Sequence, residues 1–214
     1  MRTERWDLVL PVKGGVGAKS RLGPAGAVRV GLARAIALDC VAAVTGCAVV
    51  TRAVVVTLDV EVRREALALG AVVVPESRPG AGLLAAVRDG LAACTTGPAG
   101  VLLADLPALR PDDLALALAA CGRALRDGAG AVVVPDAEGS GSVLLAGAAA
   151  DLLQPAFGPG SALAHEAGGA RRLELELPGL RRDVDTPAEL AAAESLGVGP
   201  RTAEVLRRWR PAPA

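Results

Sequence analysis

Only two lysines occur in this chain, and they lie six residues apart in one glycine-rich segment. Lys13 and Lys19 contribute two of the 23 basic residues, and arginine supplies the rest. A lysine ammonium is a compact charge on a flexible stem, whereas an arginine guanidinium is a planar fork. Lysines beside glycines, directly after the apolar run Asp7–Val12, are typical of a phosphate-binding loop. Two exposed lysines placed there by chance are the alternative, which we disfavour because charge, glycine and strand context coincide.

The lysine segment comes close to a P-loop, the phosphate-binding loop of many ATPases. In a P-loop the glycines and the following lysine hold fixed positions around the phosphates. Here Ala18 stands between Gly17 and Lys19, which turns the lysine away from its target, and Pro11 interrupts the strand before the loop. A P-loop ATPase is therefore the less favoured interpretation.

A nucleotidyltransferase loop is the favoured interpretation of the same segment. In that chemistry the loop after the first strand wraps a nucleoside triphosphate, and its amides and lysines stabilise charge that develops on the α-phosphate and the departing pyrophosphate. Arg21 can add a two-pronged contact to phosphate. We therefore predict that Lys13, Lys19 and Arg21 are catalytic.

Three carboxylates are candidates for a metal site. Asp105 follows the predicted strand Gly100–Leu103, at the edge where open α/β sheets bind ligands. Asp183 and Asp185 alternate in an extended segment and can share a face. Magnesium prefers one or two carboxylates together with phosphate oxygens and water. The alternatives are a helix-capping role for Asp105 and an Asx turn at Asp185 that leads into a cap at Thr186.

Composition argues against several functions. One phenylalanine, no tyrosine and a net charge of zero disfavour base stacking and nucleic-acid binding. The sequence contains no run of 18 apolar residues, so no membrane span is predicted. No signal peptide is evident at the start, and we therefore expect a cytoplasmic protein. The four cysteines lack CxxC spacing and are expected to be reduced core residues: Cys40, Cys47, Cys94 and Cys121.

Short β-branched runs alternate with alanine- and leucine-rich helical segments along the chain. Continuous apolar strands between helices predict an α/β fold with a mostly parallel sheet covered on both faces. We predict one Rossmann-like domain over residues 1–214, with a core at about 7–198 and a C-terminal helix and frayed tail at 199–214. The predicted strands are Asp7–Val12, Ala53–Thr57, Ala71–Val74, Gly100–Leu103, Ala131–Val134, Ser142–Ala146 and Arg172–Leu177. The predicted helices are Val28–Val44, Val60–Leu69, Leu83–Cys94, Pro111 to about Leu125, a short one after Ser161, one capped by Thr186, and Gly199–Arg208.

Five motifs in order resemble the guanylyltransferases of coenzyme F-420 biosynthesis, which join GMP from GTP to 2-phospho-L-lactate or phosphoenolpyruvate. The resemblance covers about Leu8 to Val198. The motifs are Pro11-Val-Lys13 with Ala18-Lys-Ser-Arg-Leu22, Ala104-Asp-Leu-Pro-Ala-Leu109, Pro135-Asp-Ala-Glu-Gly-Ser-Gly-Ser142, Phe157-Gly-Pro-Gly-Ser161 with His165, and Asp183-Val-Asp-Thr-Pro187.

The resemblance implies a single magnesium-dependent nucleotidyltransferase domain, with a possible hand-over of product to a downstream transferase. It implies that the loop from Lys13 to Arg21 holds the GTP phosphates, and that a small phosphate-carboxylate acceptor binds at the hydroxyls and glycine amide of the fourth motif and Ser142. The implied assignments are nucleotide binding by Pro11, Val12, Gly14 and Gly82, acceptor binding by Ser142, Gly158 and Ser161, and Mg²⁺ binding by Asp105, Asp183 and Asp185. His165 lies four residues after Ser161 and can touch the acceptor from the same helix face.

Two departures from the family leave alternatives open. Gly14 and Gly15 stand where the family has a bulkier residue, and Leu84 stands where the family has an asparagine expected to hydrogen-bond the nucleotide. Removing such a hydrogen bond from a dry pocket costs about 1–3 kcal/mol. A nucleotide-binding paralogue without turnover is therefore the alternative from another class, and a molybdopterin-type nucleotidyltransferase is a related one. Phosphoenolpyruvate is the favoured acceptor, 2-phospho-L-lactate the second, and the sequence does not settle the oligomeric state.

Overall fold

A computed structural model describes residues 4–13, 19, 21–22, 26–95 and 97–209. The strands are β1 Trp6–Pro11, β2 Val50–Val56, β3 Val72–Val74, β4 Ala99–Leu102, β5 Ala131–Pro135, β6 Ser142–Gly147 and β7 Ala170–Arg172. The helices are α1 Gly26–Thr45, α2 Val60–Ala68, α3 Leu83–Ala92, α4 Pro111–Arg126, α5 Ser161–Ala167, α6 Pro178–Arg181, α7 Pro187–Leu196 and α8 Pro200–Trp209, with a 3₁₀ helix at Ala150–Leu152.

The seven described strands form one sheet in the order β3-β2-β1-β4-β6-β5-β7. Strand β6 is antiparallel to both of its neighbours, β4 and β5, and the other pairings are parallel. The carboxyl ends of β1 to β4 therefore meet at one edge, and the reversed β6 begins at that same edge. The predicted α/β class with a mostly parallel sheet is confirmed.

Alternate residues of β1 enter two separate cores. Leu8 and Leu10 pack with α1, α2 and α4 on one face, whereas Val9 packs with α3 on the other. This alternation is what the two-residue period of a strand dictates when helices cover both faces. A third cluster joins α1, α7 and α8, with Leu32, Leu190 and Leu206 among its members.

Helix α3 packs very closely on the sheet because a glycine faces β1 and β2. A methyl group at Gly90 would lie 2.2 Å from Val9 Cγ1 and 2.9 Å from Val56 Cγ2. These separations are far below the usual carbon–carbon contact of about 3.5–4.0 Å. The glycine therefore sets the distance between α3 and the sheet, and α3 begins at the edge where β1 and β2 end.

The predicted strand Arg172–Leu177 was wrong in most of its length. Pairing in β7 stops at Arg172, and one further bond, from Leu173 N to Val133 O, follows. The partner strand, β5, ends at Pro135. Proline has no amide hydrogen, and the carbonyl of Pro135 accepts a hydrogen bond from Arg181 Nε at 3.2 Å. The ladder therefore cannot continue. Helix α6 and the 3₁₀ helix were not predicted.

The expected core position is confirmed for three of the four cysteines. All four are free, with Cys40, Cys47 and Cys121 buried and Cys94 half-buried. Among the helices described, none combines the length and apolar character that a membrane crossing requires.

Candidate active site

A cavity of about 1020 Å³ opens at the carboxyl ends of β1 to β4. Eight of the residues assigned from sequence line it: Pro11, Val12, Lys13, Lys19, Arg21, Gly82, Asp105 and Asp185. The volume lies at the upper end of the range for small-molecule sites. Gly14 lies outside the described residues. The structure thus gathers the lysines and two of the predicted metal ligands around one space.

Lys19 is the centre of this arrangement. Its Nζ donates to Asp105 Oδ2 at 2.7 Å and to Asp185 Oδ1 at 2.8 Å. Burial alone would lower the pKa of Lys19, but the two carboxylates outweigh that effect and raise it. The lysine therefore carries a firmly held positive charge. Among the described non-glycine residues it is also the one with a positive φ, 51°, a conformation that costs energy and persists only where surrounding contacts hold it.

Asp185 is shared between two cations. Arg21 Nη2 lies 3.5 Å from its second oxygen, Oδ2. Burial acts to raise the pKa of Asp185, but Lys19 and then Arg21 lower it, so the carboxylate is ionised at neutral pH. The predicted cap follows it: Thr186 and Glu189 form a capping box on α7, and the Asp185 amide itself donates to Glu189 Oε2 at 2.7 Å. The cap thus fixes the backbone of Asp185 and leaves its side chain to the cavity.

The two carboxylate oxygens of Asp105 differ in their contacts. Oδ2 is bound by Lys19, whereas Oδ1 is buried and has no hydrogen-bond partner among the described residues. A buried, unpaired carboxylate oxygen is costly unless a cation or donor joins it. The backbone carbonyl of Asp105 accepts a hydrogen bond from Val184 N at 3.1 Å. This bond joins the turn after β4 to the segment that carries Asp185. Asp105 and Asp185 together suit a divalent cation that prefers oxygen ligands.

Asp183, the third predicted metal ligand, is not among the described residues that line the cavity. Its carboxylate groups with those of Asp136 and Glu138, whose ligand atoms all lie within 4.8 Å of one another. Burial, followed by the charges of Asp105 and Asp136, raises the pKa of Asp183 to about 7. Asp183 therefore belongs to an acidic group that adjoins Asp105, rather than to the lysine-bound pair.

The predicted acceptor residues form a second group beside the cavity rather than within its described lining. Ser142 and Ser161 are buried, and Gly158 is exposed with φ at 149°, a conformation that favours glycine. Because β6 is antiparallel to β4, and Leu103 N donates to Val143 O, Ser142 lies opposite the residues that lead into Asp105. Helix α5 is joined to the turn before β6 by the bond from Ala162 N to Ser140 O. Ser142 therefore lies at the same edge of the sheet as Asp105.

Comparisons with known proteins show the family of this chain. The MobA-like NTP transferase domain matches residues 28–177. A phosphoenolpyruvate guanylyltransferase of Salinispora arenicola is 49% identical over 206 residues, which cover 94% of this chain and 93% of the relative. A phosphoenolpyruvate guanylyltransferase of Streptomyces coelicolor is 46% identical, over 95% of this chain and 97% of the relative. This chain belongs to the phosphoenolpyruvate guanylyltransferase family.

The fold of this guanylyltransferase family member agrees with more distant structures. A nucleotidyl transferase from Methanothermobacter thermautotroptrophicus aligns over 90% of this chain and 97% of its own length, with a TM-score of 0.61 and 20% identity. At that identity the likeness supports the fold alone. The family result favours the nucleotidyltransferase interpretation of the lysine loop over the P-loop interpretation.

Leu84 of this guanylyltransferase family member faces the core. It packs against the cluster of Val9, Val87 and Phe157, whereas the preceding Leu83 lines the cavity. The leucine therefore adds apolar packing beneath α3. Leu84 is not among the described residues that line the cavity.

Sequence reasoning missed several residues of the site. Arg34, Asp59 and Glu76 line the cavity, and Asp136 and Glu138 adjoin Asp183. Asp59 was detectable, because an aspartate just before a helical pattern is a typical N-cap, and its Oδ1 indeed accepts from the amides of residues 61 and 62. Asp136 and Glu138 belong to a motif noted in the sequence, but only Ser142 of that motif was given a role.

Proposed function

We propose that this chain transfers GMP from GTP to phosphoenolpyruvate and releases pyrophosphate. The observation that carries the proposal is the ammonium of Lys19 between Asp105 and Asp185 in the lining of a cavity large enough for a nucleotide. Two relatives that cover nearly the whole chain bear the name of this activity. We extend the proposal to coenzyme F-420 biosynthesis in the cytoplasm, with 2-phospho-L-lactate as the second candidate acceptor and a downstream transferase as recipient of the product.

The reaction needs positioning more than proton transfer. An oxygen of the acceptor phosphate, already anionic at neutral pH, attacks the α-phosphorus of GTP. The new phosphorus–oxygen bond forms as the bond between the α-phosphorus and the bridging oxygen breaks, and the electron pair leaves with pyrophosphate. No proton has to move in this step. The task of the protein is to hold both anions in line and to balance the charge that develops.

In this proposal the basic residues of the cavity serve the triphosphate. Lys13 is exposed at the end of β1, and Arg21 is largely exposed with its guanidinium near Asp185. Both can turn toward phosphate oxygens without breaking a buried contact. Lys19 is held by two carboxylates and supplies a fixed charge. Pro11, Val12 and Gly82, with Gly14 from sequence, would place the backbone beside the nucleotide.

Asp105 and Asp185 fit a magnesium ion on the grounds of donor chemistry. Asp105 Oδ1 is a buried acceptor that has no hydrogen-bond partner among the described residues, and both aspartates offer the hard oxygen ligands that Mg²⁺ prefers. Asp183 adjoins Asp105 and is the third ligand that we propose. When bound, magnesium supplies charge neutralisation at the phosphates. The acceptor would bind on the other side of Asp105, at Ser142, Gly158 and Ser161.

The test is pyrophosphate release from GTP and Mg²⁺ with either acceptor. We expect turnover with phosphoenolpyruvate or 2-phospho-L-lactate, and a fall of at least about 100-fold in the Asp105→Asn variant, comparable to loss of one charge-stabilising group in other enzymes. Asp151→Asn is the matched control, because Asp151 is exposed on the 3₁₀ helix outside the cavity. Tight GTP binding without pyrophosphate release for either acceptor would instead support the non-catalytic paralogue.

A further inference from the structure

His165, the only histidine of the chain, is held at both ring nitrogens. Its Nδ1 lies 2.9 Å from Ser142 Oγ, and its Nε2 accepts a hydrogen bond from Ala156 N, also at 2.9 Å. Phe157 packs edge-on against the ring, with centroids 4.9 Å apart and an interplanar angle of 73°. The side chain is buried. The imidazole therefore has one orientation, fixed from three sides.

The hydrogen bond with Ala156 decides which nitrogen carries the proton. A backbone amide can only donate, so Nε2 must be unprotonated to accept from it. Burial lowers the pKa of His165, and a hydrogen bond with the Ser161 backbone opposes this to a smaller extent. The ring is therefore neutral at neutral pH. A neutral imidazole has one N–H, which must then be on Nδ1. Nδ1–H accordingly donates to Ser142 Oγ.

This direction of donation leaves the hydroxyl hydrogen of Ser142 available. A serine oxygen accepts through its lone pairs and donates through one O–H. Among the described residues His165 is the one hydrogen-bond partner of Ser142 Oγ, and it occupies a lone pair. The O–H must point elsewhere. An acceptor substrate made of phosphate and carboxylate groups offers only hydrogen-bond acceptors, so it needs this donor.

We propose that His165 is a positioning residue, which holds Ser142 Oγ by donation from Nδ1 and so aims the serine hydroxyl hydrogen at an anionic oxygen of the acceptor. This inference rests on the proposed role of Ser142 in binding phosphoenolpyruvate or 2-phospho-L-lactate. It replaces the expectation that His165 itself touches the acceptor, because both of its ring nitrogens are engaged by the protein.

The tautomer is tested without any activity measurement. A long-range ¹H–¹⁵N spectrum of untagged, labelled protein shows a single imidazole, because the chain has one histidine. We expect a neutral ring with the proton on Nδ1 at neutral pH. A proton on Nε2, or a ring that exchanges between tautomers, would overturn the proposal.

Two substitutions separate the two ring nitrogens in steady-state kinetics. His165→Asn places an amide donor near the position of Nδ1, and His165→Gln places its amide near Nε2. Losing a hydrogen bond to a charged group corresponds to about a 10- to 100-fold effect. We therefore expect His165→Gln to raise KM for the acceptor by that factor, His165→Asn to restore most of it, and neither to change KM for GTP. In a Ser142→Ala background, His165→Gln should have no further effect.

Equal loss in both histidine variants, an effect that persists in the Ser142→Ala background, or a parallel rise in KM for GTP would overturn the positioning role. Thermal melting of each variant identifies a simple loss of folding, which would lower Tm and affect both substrates together. If wild-type protein turns over neither acceptor, the proposed function itself fails. Turnover by the wild type with the wrong histidine pattern refutes this inference alone.

Discussion

Replacement of Gly90 by alanine should push α3 away from the sheet. The added carbon would lie 2.2 Å from Val9 Cγ1, which is more than 1 Å inside an ordinary contact. Val9 is fully buried and belongs to β1, which is hydrogen-bonded on both sides, so neither the side chain nor the strand can retreat freely. The helix is the element that must move.

The expected cost follows from two opposing effects. Overpacking a well-filled core costs about 1–3 kcal/mol, with a severe clash at the upper end. Alanine in a helix is more favourable than glycine by about 1 kcal/mol. The net loss at Gly90 is then about 1–2 kcal/mol, which lowers Tm by about 2–8 °C in a chain of this size.

Gly31 provides the matched control. It lies within α1, and a methyl group there would meet nothing within 4 Å. Gly31→Ala gains the helix preference without the clash and should raise Tm by about 2–4 °C. Differential scanning calorimetry compares the two proteins with wild type. A Gly90→Ala protein that melts as high as wild type would refute this reasoning.

The same variant has a consequence for the cavity. Helix α3 begins directly after Gly82, and both Gly82 and Leu83 line the proposed nucleotide site. A displaced α3 should therefore raise KM for GTP, whereas Gly31→Ala should leave it unchanged. A lower Tm with an unchanged KM for GTP would mean that Val9 absorbs the strain and that α3 stays in place.

Three further outcomes are expected. Burial raises the pKa of Cys121 to about 12 and that of half-buried Cys94 to about 11. The native protein should therefore react slowly with Ellman's reagent, first at Cys94, and all four thiols should react rapidly only after unfolding. Asp59→Ala removes the cap of α2 and the partner of Arg34 and should lower the free energy of unfolding in urea by about 1–2 kcal/mol, while Asp59→Asn, which can still cap, should cost less. Burial acts to raise the pKa of Asp59, but Arg34 and the helix amides outweigh it and lower that pKa. The stability that Asp59 contributes is therefore present above the usual carboxyl pKa, and the stability difference between wild type and Asp59→Ala should disappear as pH falls through the lowered pKa. Lys19→Met leaves two carboxylates without their shared cation, so its Tm should be lower than wild type and should rise more on addition of Mg²⁺; equal magnesium shifts in the two proteins would count against the metal assignment.

Local rules were sufficient for much of the scaffold. The capping box at Thr186 and the continuous apolar strands follow from short-range chemistry, and the structure bears them out. The alternating leucines of the predicted strand Arg172–Leu177 do face the core. The strand prediction was nevertheless wrong, because the partner strand ends at Pro135. Hydrogen-bond partners for a strand are a property of the sheet, and a sequence pattern of period two does not reveal them.

The ion pairs of the site lay beyond sequence reasoning for a similar cause. Lys19 was predicted to contact phosphate and Asp105 to contact metal, but their direct contact joins residues 86 positions apart. Charge type and strand edge indicate that such groups meet at one end of the sheet. They do not indicate which oppositely charged groups pair, because that depends on how the loops pack.

The chain around Asp105 and Asp185 is held by hydrogen bonds that do not involve the carboxylates of these two residues. Val184 N donates to Asp105 O, the amides of Asp185 and Thr186 donate to Glu189, and Gly199 N donates to Pro107 O at 2.8 Å. These bonds would remain when a carboxylate becomes an amide of the same shape. An Asp105→Asn variant should therefore keep its fold, so that a loss of turnover in it reports on charge at the site and not on the position of the chain.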